Sequence, residues 1–313
     1  MKIKPALAED AILDKVIFPC MVQPKYDGVR AMNLDGTLTG RSLDPFPGTG
    51  ITEYFSKPGF IGLDGEMTLG NDPRADRLCS LTTGAMGKFK GVTEMADLHW
   101  WVFDLVTPET VGLPYRERLE LLQAKVEELH DPRVHIMASA FVGTRELLNK
   151  LIAEDSAAGC EGTIIRNPNA LYKEGRSTQK GQELWRVKPW GDFEILVTGI
   201  TEGSRNENEA KKNTLGRTER SSAQDGLVPN GQVGSIQGTL VKDLVVNGGA
   251  LTIPAGTLVT AGSGKLTEAQ ATHYFQNQHE LVGHFAKIKT MTYGVKDLPR
   301  FPTFESLRLK QDM

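Results

Sequence analysis

The sequence predicts an α+β domain followed by a small β-barrel domain. Its 313 residues are enough for about two domains of average size. Up to about residue 190, short strand-like runs alternate with amphipathic helices, whereas the periodic segments beyond that point are nearly all strand-like. A break at Pro189–Asp192 separates the two regions, so we expect domains at residues 1–190 and 191–313.

The composition is that of an ordinary globular protein. Hydrophobic residues make up 39% and charged residues 24%, which excludes a wholly disordered, collagen-like or coiled-coil chain. No apolar run approaches the roughly 18 residues of a membrane span, and the first residues lack the apolar core of a signal peptide. Cys20, Cys79 and Cys160 lie far apart, which excludes a four-cysteine zinc site and disfavours a disulfide scaffold. We therefore expect a cytoplasmic protein without membrane association.

Strand and helix signals follow one another through the first domain. The predicted strands are Val22–Leu34 around a turn at Asp27-Gly28, Ile61–Glu66 with its own turn, His99–Val106, Gly162–Arg166 and Glu183–Lys188. Leucines at helical spacing predict a helix over Tyr115–Leu129. Thr144 can cap a second helix that reaches about Ala158, and Gly159 can end it.

The second domain is predicted to be mostly β. Strand-like segments are Phe193–Ile200, Val233–Val241, Leu244–Val246, Leu251–Val259 and Ala286–Thr292. Thr201–Gly231 is polar and charged, so we expect a long exposed loop there. A capping box at Thr267 opens a helix to about Leu281. Five or so short strands and one helix in about 120 residues are typical of a barrel such as the OB-fold.

The strongest local signal for chemistry is the segment Lys25–Arg30, which reads KYDGVR. The segment is short enough to occur by chance, but an ordered series of charged and aromatic motifs follows it. That series contains Arg41, Leu63-Asp64-Gly65-Glu66, Phe103-Asp104, Glu161–Arg166 (EGTIIR) and Trp185–Pro189 (WRVKP). In the last motif, two cations one residue apart share one face of a strand.

Taken together, these motifs resemble the covalent nucleotidyltransferase superfamily, and their order is similar to that of the small, phage-type ATP-dependent DNA ligases. The resemblance covers nearly the whole chain. It implies an ATP-grasp-like nucleotidyltransferase (adenylation) domain followed by an OB-fold DNA-binding domain. It also implies that a monomer seals nicks in duplex DNA through a lysyl-AMP intermediate, AMP transfer to the 5′-phosphate and attack by the 3′-hydroxyl. Such an enzyme uses ATP and Mg²⁺, for which Mn²⁺ can substitute, and acts in replication, repair or recombination, in the host cytoplasm if viral.

Lys25 is the predicted nucleophile, and Arg186 and Lys188 are predicted to assist it. An amine attacks phosphorus only when neutral, and a reference pKa near 10.4 leaves roughly one lysine in 10³ neutral at pH 7.5. We expect Arg186, Lys188 and a bound Mg²⁺ to lower the pKa of Lys25 and to neutralise charge on the phosphates. Many ligases have lysine at positions 166 and 186. Because arginine is not a simple copy of lysine, we expect Arg166 and Arg186 to tune the phosphate contacts.

Glu66 and Glu161 are the predicted acidic pair. Mg²⁺ prefers few carboxylates together with waters and substrate phosphates, so two glutamates suffice. The resemblance makes Glu161 the stronger candidate for a metal ligand. Glu66 alternatively binds the ribose hydroxyl or orients Lys25.

Several further residues are predicted to bind the nucleotide. Phe103 lies where the family stacks an aromatic ring on adenine, although core packing is the competing interpretation. Gln23 can reach the adenine amino group through its amide oxygen. Arg30 and Arg41 are expected to bind ribose, phosphate or the 5′-phosphate of the nick. The predicted nucleotide-binding set is Gln23, Lys25, Arg30, Arg41, Glu66, Phe103, Arg186 and Lys188.

Basic residues suggest where DNA binds. Residues 1–159 carry a net charge of −6, from 17 basic and 23 acidic residues, whereas residues 160–313 carry +3, from 19 and 16. Contacts to phosphates fix position without reading sequence, as nick sealing requires. The predicted DNA-binding residues are Arg30, Arg41, Lys173, Arg176, Lys211, Lys212, Arg217 and Arg220. Acidic residues are interleaved with the last four of these. A solvated loop that does not contact DNA is therefore the alternative interpretation of this segment.

Two other functions stay open at this level. An RNA ligase or an mRNA-capping guanylyltransferase shares the KxDG motif and the fold, and differs in substrate. A non-catalytic nick-binding module would use the barrel and the basic segment alone. Near the end of the chain, Arg300–Phe304 resembles a C-terminal family motif that orients pyrophosphate.

Overall fold

The computed structural model describes residues 3–75, 77–87, 97–293, 295 and 297–308. The chain divides into two compact units, Met1–Lys188 and Pro189–Met313. In the described residues, no helix is both long enough and apolar enough to cross a membrane.

The first unit mixes strands and helices. Its strands are β1 (Ala6–Leu7), β2 (Glu9–Asp10), β3 (Cys20–Lys25), β4 (Val29–Asn33), β5 (Leu38–Thr39), β6 (Leu63–Leu69), β7 (Leu98–Leu105), β8 (Val134–Ile136), β9 (Ala140–Val142), β10 (Gly162–Arg166), β11 (Gly175–Arg176) and β12 (Trp185–Val187). Its α-helices are α1 (Thr49–Phe55), α2 (Leu78–Gly87), α3 (Tyr115–Leu129) and α4 (Arg145–Ala157).

Two five-stranded sheets organise this unit. The first sheet has the order β2-β12-β10-β3-β9 and the second has the order β5-β4-β6-β7-β8. β3 and β4 follow each other in sequence but belong to different sheets, so the segment Tyr26–Gly28 crosses from one sheet to the other. The KYDGVR motif therefore joins the two sheets.

Helices cover both sheets with apolar side chains. In α3, Leu119 and Leu122 share a core with Trp100 and Val102 of β7, and in α4 Leu148 shares a core with β3 and β10. The bounds of α3 confirm the predicted helix, and the hydrogen bond from Leu147 N to Thr144 Oγ1 confirms the predicted cap of α4. The helices α1 and α2 were not predicted.

The turn expected within Ile61–Glu66 lies at Ile61-Gly62, where Gly62 has a φ of +90°, and β6 then runs through Asp64 and Gly65. A Cβ at Gly65 would lie 2.5 Å from the Trp101 carbonyl oxygen and 2.8 Å from Trp100 Nε1 on β7. Glycine is therefore needed here for close approach of two strands, and not for a turn.

In the residues that the structure describes, the second unit is a closed barrel with one α-helix. Its strands are β13 (Trp190–Asn206), β14 (Ala210–Lys212), β15 (Thr218–Arg220), β16 (Leu227–Leu240), β17 (Leu244–Val246), β18 (Leu251–Ile253), β19 (Leu258–Gly262), β20 (Phe285–Met291) and β21 (Arg300–Arg308), and its helix is α5 (Glu268–Gln276). The barrel order is β13-β16-β19-β21-β20. Ile195, Ile236, Ala261, Ile288 and Phe304 fill its interior.

The expected long loop at Thr201–Gly231 is wrong. β13 and β16 stay paired as far as Asn206 and Leu227, and β14 and β15 form a small hairpin beyond them. We call this paired segment, residues 201–233, the ribbon. Its charged side chains are exposed, as the sequence indicates.

Three further predictions for this unit also differ from the structure. The segment Leu251–Val259 is split into β18 and β19 by a turn in which Gly256 has a φ of +82°. α5 ends at Gln276 because Asn277 leaves the helical conformation. β21, which closes the barrel, was not predicted as a strand.

Candidate active site

The strand register brings Lys25, Glu161 and Lys188 together. Lys25 ends β3 and pairs with Gly162, the first residue of β10. The Glu161 backbone N–H donates to the Lys25 carbonyl oxygen over 2.8 Å. The two carboxylate oxygens of Glu161 then form separate ion pairs, one with Lys25 Nζ and one with Lys188 Nζ. Three residues from three predicted motifs therefore form one cluster.

The electrostatics of Lys25 differ from the expectation. Burial is the strongest influence and lowers the pKa of Lys25, but the carboxylates of Glu161, Glu66 and Asp27 together outweigh it and raise the pKa above its ordinary value. The expectation that neighbouring cations lower this pKa is therefore wrong for the free protein, because the carboxylates act on Nζ more strongly. Burial raises the pKa of Glu161, but Lys25 and Lys188 bring it below the usual range.

Glu66 is the second acid of the cluster. It lies on β6, opposite Arg30 of β4 and Trp101 of β7. Burial raises the pKa of Glu66 to about 7, with an opposing effect of Lys25 and a further rise from Glu161. The two predicted glutamates are thus near enough to affect each other and to act on the same amine.

Two glycines let the backbone approach closely around the cluster. A Cβ at Gly28 would collide with the Met67 carbonyl oxygen and lie 2.9 Å from Glu66 Cγ. A Cβ at Gly162 would collide with the Val187 carbonyl oxygen of β12. Packing, more than backbone conformation, therefore explains the glycines of the KYDGVR and EGTIIR motifs.

Arg30 and Phe103 lie against each other. The Arg30 guanidinium donates to both carboxylate oxygens of Asp64, over 3.0 and 2.7 Å, and to the Ala6 carbonyl oxygen over 2.6 Å. Its Cζ is 5.3 Å from the centre of the Phe103 ring, and Arg166 Cζ is 5.2 Å from the same ring centre. Two cations therefore flank the aromatic side chain that was predicted to bind adenine.

The expectation that Arg166 tunes phosphate contacts is corrected by its position. Arg166 is only 4% exposed and pairs with Asp104 over 3.0 Å, and its Cζ lies 4.4 Å from the Tyr115 ring centre. Asp104 also accepts two hydrogen bonds from Arg118, over 2.8 and 3.1 Å. Arg166 therefore belongs to a buried charge network beside Phe103.

Arg186 lies on the same sheet as Lys25 but contacts a different acid. Its Nε is 2.6 Å from Asp10 Oδ1. In the register, Arg186 and Gln23 both pair with Ile164, so the three side chains share one face of the sheet. Lys25 lies two residues beyond Gln23 on that same face.

Gln23 is buried, at 2% exposure, and its amide is held by two residues that the sequence did not single out. Gln23 Nε2 donates to Tyr115 Oη over 3.0 Å and to Ser139 Oγ over 2.8 Å. In the sequence, Tyr115 is an ordinary core position of an amphipathic helix, and Ser139 lies between two short strands. No sequence signal links either residue to Gln23, because only tertiary packing brings them together.

The other predicted basic residues of the first unit lie elsewhere. Arg41 is exposed after β5. Lys173 lines a small pocket together with Asp104 and Arg118. Arg176 donates to the Ala8 carbonyl oxygen over 2.7 Å.

The ribbon separates its charges onto two faces. In the hairpin, Lys211 pairs with Glu219 and lies 3.4 Å from Glu209, so acids surround it on its own face. Lys212 pairs with Thr218, and Arg220 pairs with Ala210, on the opposite face. Lys212 and Arg220 therefore share a face that carries no acid within the hairpin pairs, and Arg217 is exposed at the turn beside them.

Lys25, in the KxDG motif that joins the two sheets, is thus ion-paired with Glu161 and lies within electrostatic reach of Glu66. The family model described as "ATP dependent DNA ligase domain" matches residues 1–188. This match covers more than half of the chain, and the chain therefore belongs to that family.

The relatives match part of their own length. A DNA ligase of African swine fever virus (isolate Warthog/Namibia/Wart80/1980) is 26% identical over 197 residues, which are 59% of this chain and 45% of that protein. DNA ligase 2 of Methanosarcina mazei is 29% identical over 96 residues, which are 30% of this chain and 16% of that protein. The chain thus spans less than half the length of these relatives.

Solved structures show the same fold over nearly the whole chain. A Chlorella virus DNA ligase-adenylate has a TM-score of 0.53 and 24% identity, with 99% of both chains covered. A Lig E DNA ligase has a TM-score of 0.69 and 20% identity, with 98% of this chain and 100% of that chain covered. At these identities the likeness establishes the fold.

Proposed function

We propose that this chain is an ATP-dependent DNA ligase that acts as a monomer and is adenylated on Lys25. The first unit would be the ATP-grasp-like adenylation domain, and the barrel would be an OB-fold domain that binds nicked duplex DNA. The observation that carries the proposal is the Lys25–Glu161–Lys188 cluster, with Glu66 beside it, within a unit that matches the ligase family over its full length.

In the first step, Lys25 Nζ gives up a proton and attacks the α-phosphorus of ATP. A nitrogen–phosphorus bond forms, the bond between the α-phosphorus and the bridging oxygen breaks, and pyrophosphate leaves. Glu161 is ionised and bonded to Nζ, so it orients the amine and is the nearest group that can accept its proton. Lys188, on the other oxygen of Glu161, supplies positive charge beside the phosphates.

In the second step, an oxygen of the 5′-phosphate at the nick attacks the phosphorus of lysyl-AMP. The nitrogen–phosphorus bond breaks, and the Lys25 amine is regenerated. In the third step, the 3′-hydroxyl loses its proton and attacks the 5′-phosphorus, which expels AMP and closes the strand. The same lysine can then be adenylated again.

The acidic pair fits a divalent cation. Glu66 and Glu161 act on one amine, and hard oxygen donors of this kind are the protein ligands that Mg²⁺ and Mn²⁺ take. In the described part of the chain no group of three or more acidic, histidine or cysteine side chains is suited to a metal, so waters and substrate phosphates would complete the set. When bound, the ion would supply positive charge next to the phosphates. We propose Glu161 and Glu66 as its ligands.

The other residues predicted to bind the nucleotide are proposed to do so as follows. Phe103 would stack on adenine, and Gln23 would accept from its amino group. Glu66 would alternatively accept from a ribose hydroxyl. Arg30 uses three of its five N–H groups internally, which leaves two for ribose or phosphate. Arg41 and Arg186 would contact phosphate.

Duplex DNA is proposed to lie along basic surfaces of both units. Lys212, Arg217 and Arg220 of the ribbon would bind backbone phosphates, with a smaller contribution from Lys211 because of its acidic neighbours. Arg30, Arg41, Lys173 and Arg176 would act on the first unit. This binding would not depend on base sequence.

The decisive experiment measures sealing of a singly nicked DNA duplex with ATP and Mg²⁺. We expect the parent protein to seal the nick and to gain the mass of one adenylyl group on Lys25. Lys25→Ala should abolish both. Lys150→Ala is the matched control, because Lys150 is an exposed lysine of the same unit, 3.7 Å from Glu154.

Two outcomes would contradict the proposal. An adduct that forms with GTP and not with ATP would favour the guanylyltransferase alternative. Nick sealing that persists in Lys25→Ala, or an adduct on another side chain, would remove Lys25 from the chemistry.

A further inference from the structure

The amide group of Gln23 is oriented by the protons of its two partners. The Tyr115 hydroxyl donates to the Phe103 carbonyl oxygen over 3.0 Å, and the Ser139 hydroxyl donates to the Met137 carbonyl oxygen over 3.1 Å. A carbonyl oxygen can only accept, and each hydroxyl has a single proton. Both hydroxyl oxygens can therefore only accept from Gln23.

This proton arrangement permits one orientation of the Gln23 amide. With the NH₂ group toward Tyr115 and Ser139, both contacts are hydrogen bonds, of 3.0 and 2.8 Å. With the amide reversed, Gln23 Oε1 would face two oxygens that have no proton to give. Because Gln23 and Tyr115 are both buried, water cannot compensate for the bond lost at Tyr115.

We infer that Tyr115 and Ser139 are positioning residues that fix Gln23 as a hydrogen-bond acceptor toward the bound base, and so select a 6-amino purine over a 6-oxo purine. This inference rests on the proposed function. Gln23 lies two residues before Lys25 on the same strand face, about 6–7 Å along β3. Its oxygen can accept from an exocyclic amino group, whereas a 6-oxo group would oppose it with a second acceptor.

Two further observations support this fixed orientation. Tyr115 is fully buried, and burial raises the pKa of its hydroxyl to about 12, so the proton donated to Phe103 is retained at neutral pH. The acceptor of that proton is the backbone of Phe103, the residue proposed to stack on the base. The Tyr115 hydroxyl therefore bonds both to Gln23, which would contact the edge of the base, and to the backbone of Phe103, whose ring would contact its face.

The test compares ATP with inosine triphosphate, whose base carries a 6-oxo group in place of the 6-amino group. The parent protein, Tyr115→Phe, Ser139→Ala and the double variant are each assayed for the rate of the adduct on Lys25 with both nucleotides. Each single variant should lower the ATP-to-inosine preference by about tenfold at most, and the double variant by more. The rate with inosine triphosphate should rise in absolute terms, because the freed amide can turn its NH₂ group to the 6-oxo group.

Tyr54→Phe is the matched control, because its hydroxyl bonds Asp131 over 2.7 Å and does not contact Gln23. It should keep the parental preference. A parallel loss with both nucleotides, or an unchanged ratio in the double variant, would overturn the inference. Ser139→Ala keeps the test available if Tyr115→Phe fails to fold, because Ser139 is exposed.

Failure of the proposed function would look different. If the parent forms no adduct with either nucleotide, adenylation of Lys25 is refuted. Calorimetric binding of ATP and inosine triphosphate to the same proteins then still decides the inference. A preference for ATP that is retained in the double variant would overturn it.

Discussion

At the scale of single residues, Asp104 is the shared ion-pair partner of two buried arginines. It is 1% exposed, and it pairs with Arg118 and Arg166, which are 2% and 4% exposed. Removal of one partner from a buried ionic group is costly because the remaining charges lose their compensation inside the protein.

Asp104→Asn should therefore destabilise the first unit by about 3–5 kcal/mol, since it leaves two buried guanidinium groups without their carboxylate. The measurement is the free energy of unfolding in urea. Glu154→Gln is the control, because it removes only the exposed pair with Lys150 and should cost about 0.5 kcal/mol or less. Equal effects of the two substitutions would show that the network contributes nothing specific.

The residues of the candidate site differ in how far sequence could predict them. Lys25, Glu161 and Lys188 belong to recognisable sequence motifs, and the structure brings them together. Tyr115 and Ser139 have no such motif, because their roles depend on which side chain packs next to them. The raised pKa of Lys25 could not be predicted from the sequence either, because it depends on which charges lie nearest to Nζ.

At the scale of elements, the sequence predicts well those segments in which one face is buried. α3 and β10 have the expected bounds because apolar residues repeat at the period of a helix or fill a buried strand. The ribbon carries no such repeat, because Val233 at its end is its only buried residue, so the sequence predicts a loop there. β21 is not predicted for a related reason, since Phe304 is its only buried residue.

The strand pairing in the ribbon predicts which of its basic residues contribute to DNA binding. The double variant Lys212→Ala/Arg220→Ala should weaken binding to nicked duplex DNA and should reduce the slope of log K against log salt by about 0.9 for each phosphate that the variant no longer neutralises. Lys211→Ala is the matched control, and it should change the slope little because Glu219 and Glu209 flank Lys211. Binding is measured by fluorescence anisotropy over a range of salt concentrations. Equal slopes for the parent and the double variant would remove this face from the DNA interface.

At the scale of the whole molecule, each unit has cores of its own. The cores of the first unit and the core of the barrel share no residue. Trp100, Trp101 and Trp185 belong to the first unit, and Trp190 is 44% exposed in the second. Tryptophan fluorescence therefore reports mainly on the first unit, whereas circular dichroism reports on both.

We expect urea unfolding curves followed by these two probes not to coincide, because two separate cores need not unfold together. Trp190→Phe should leave the fluorescence transition nearly unchanged, since it removes the one tryptophan of the barrel. Coincident curves at every urea concentration would show that the units unfold as a single cooperative body.

The crossing from β3 to β4 has a mechanical consequence. Only Tyr26–Gly28 separates the two strands, and three residues reach at most about 10 Å. β3, which ends at Lys25, is thus joined by a short segment to β4 in the other sheet, and Gly28 is packed against the backbone of β6. Along this connection the two sheets cannot move far apart, so any separation between them has to occur away from the β3–β4 junction.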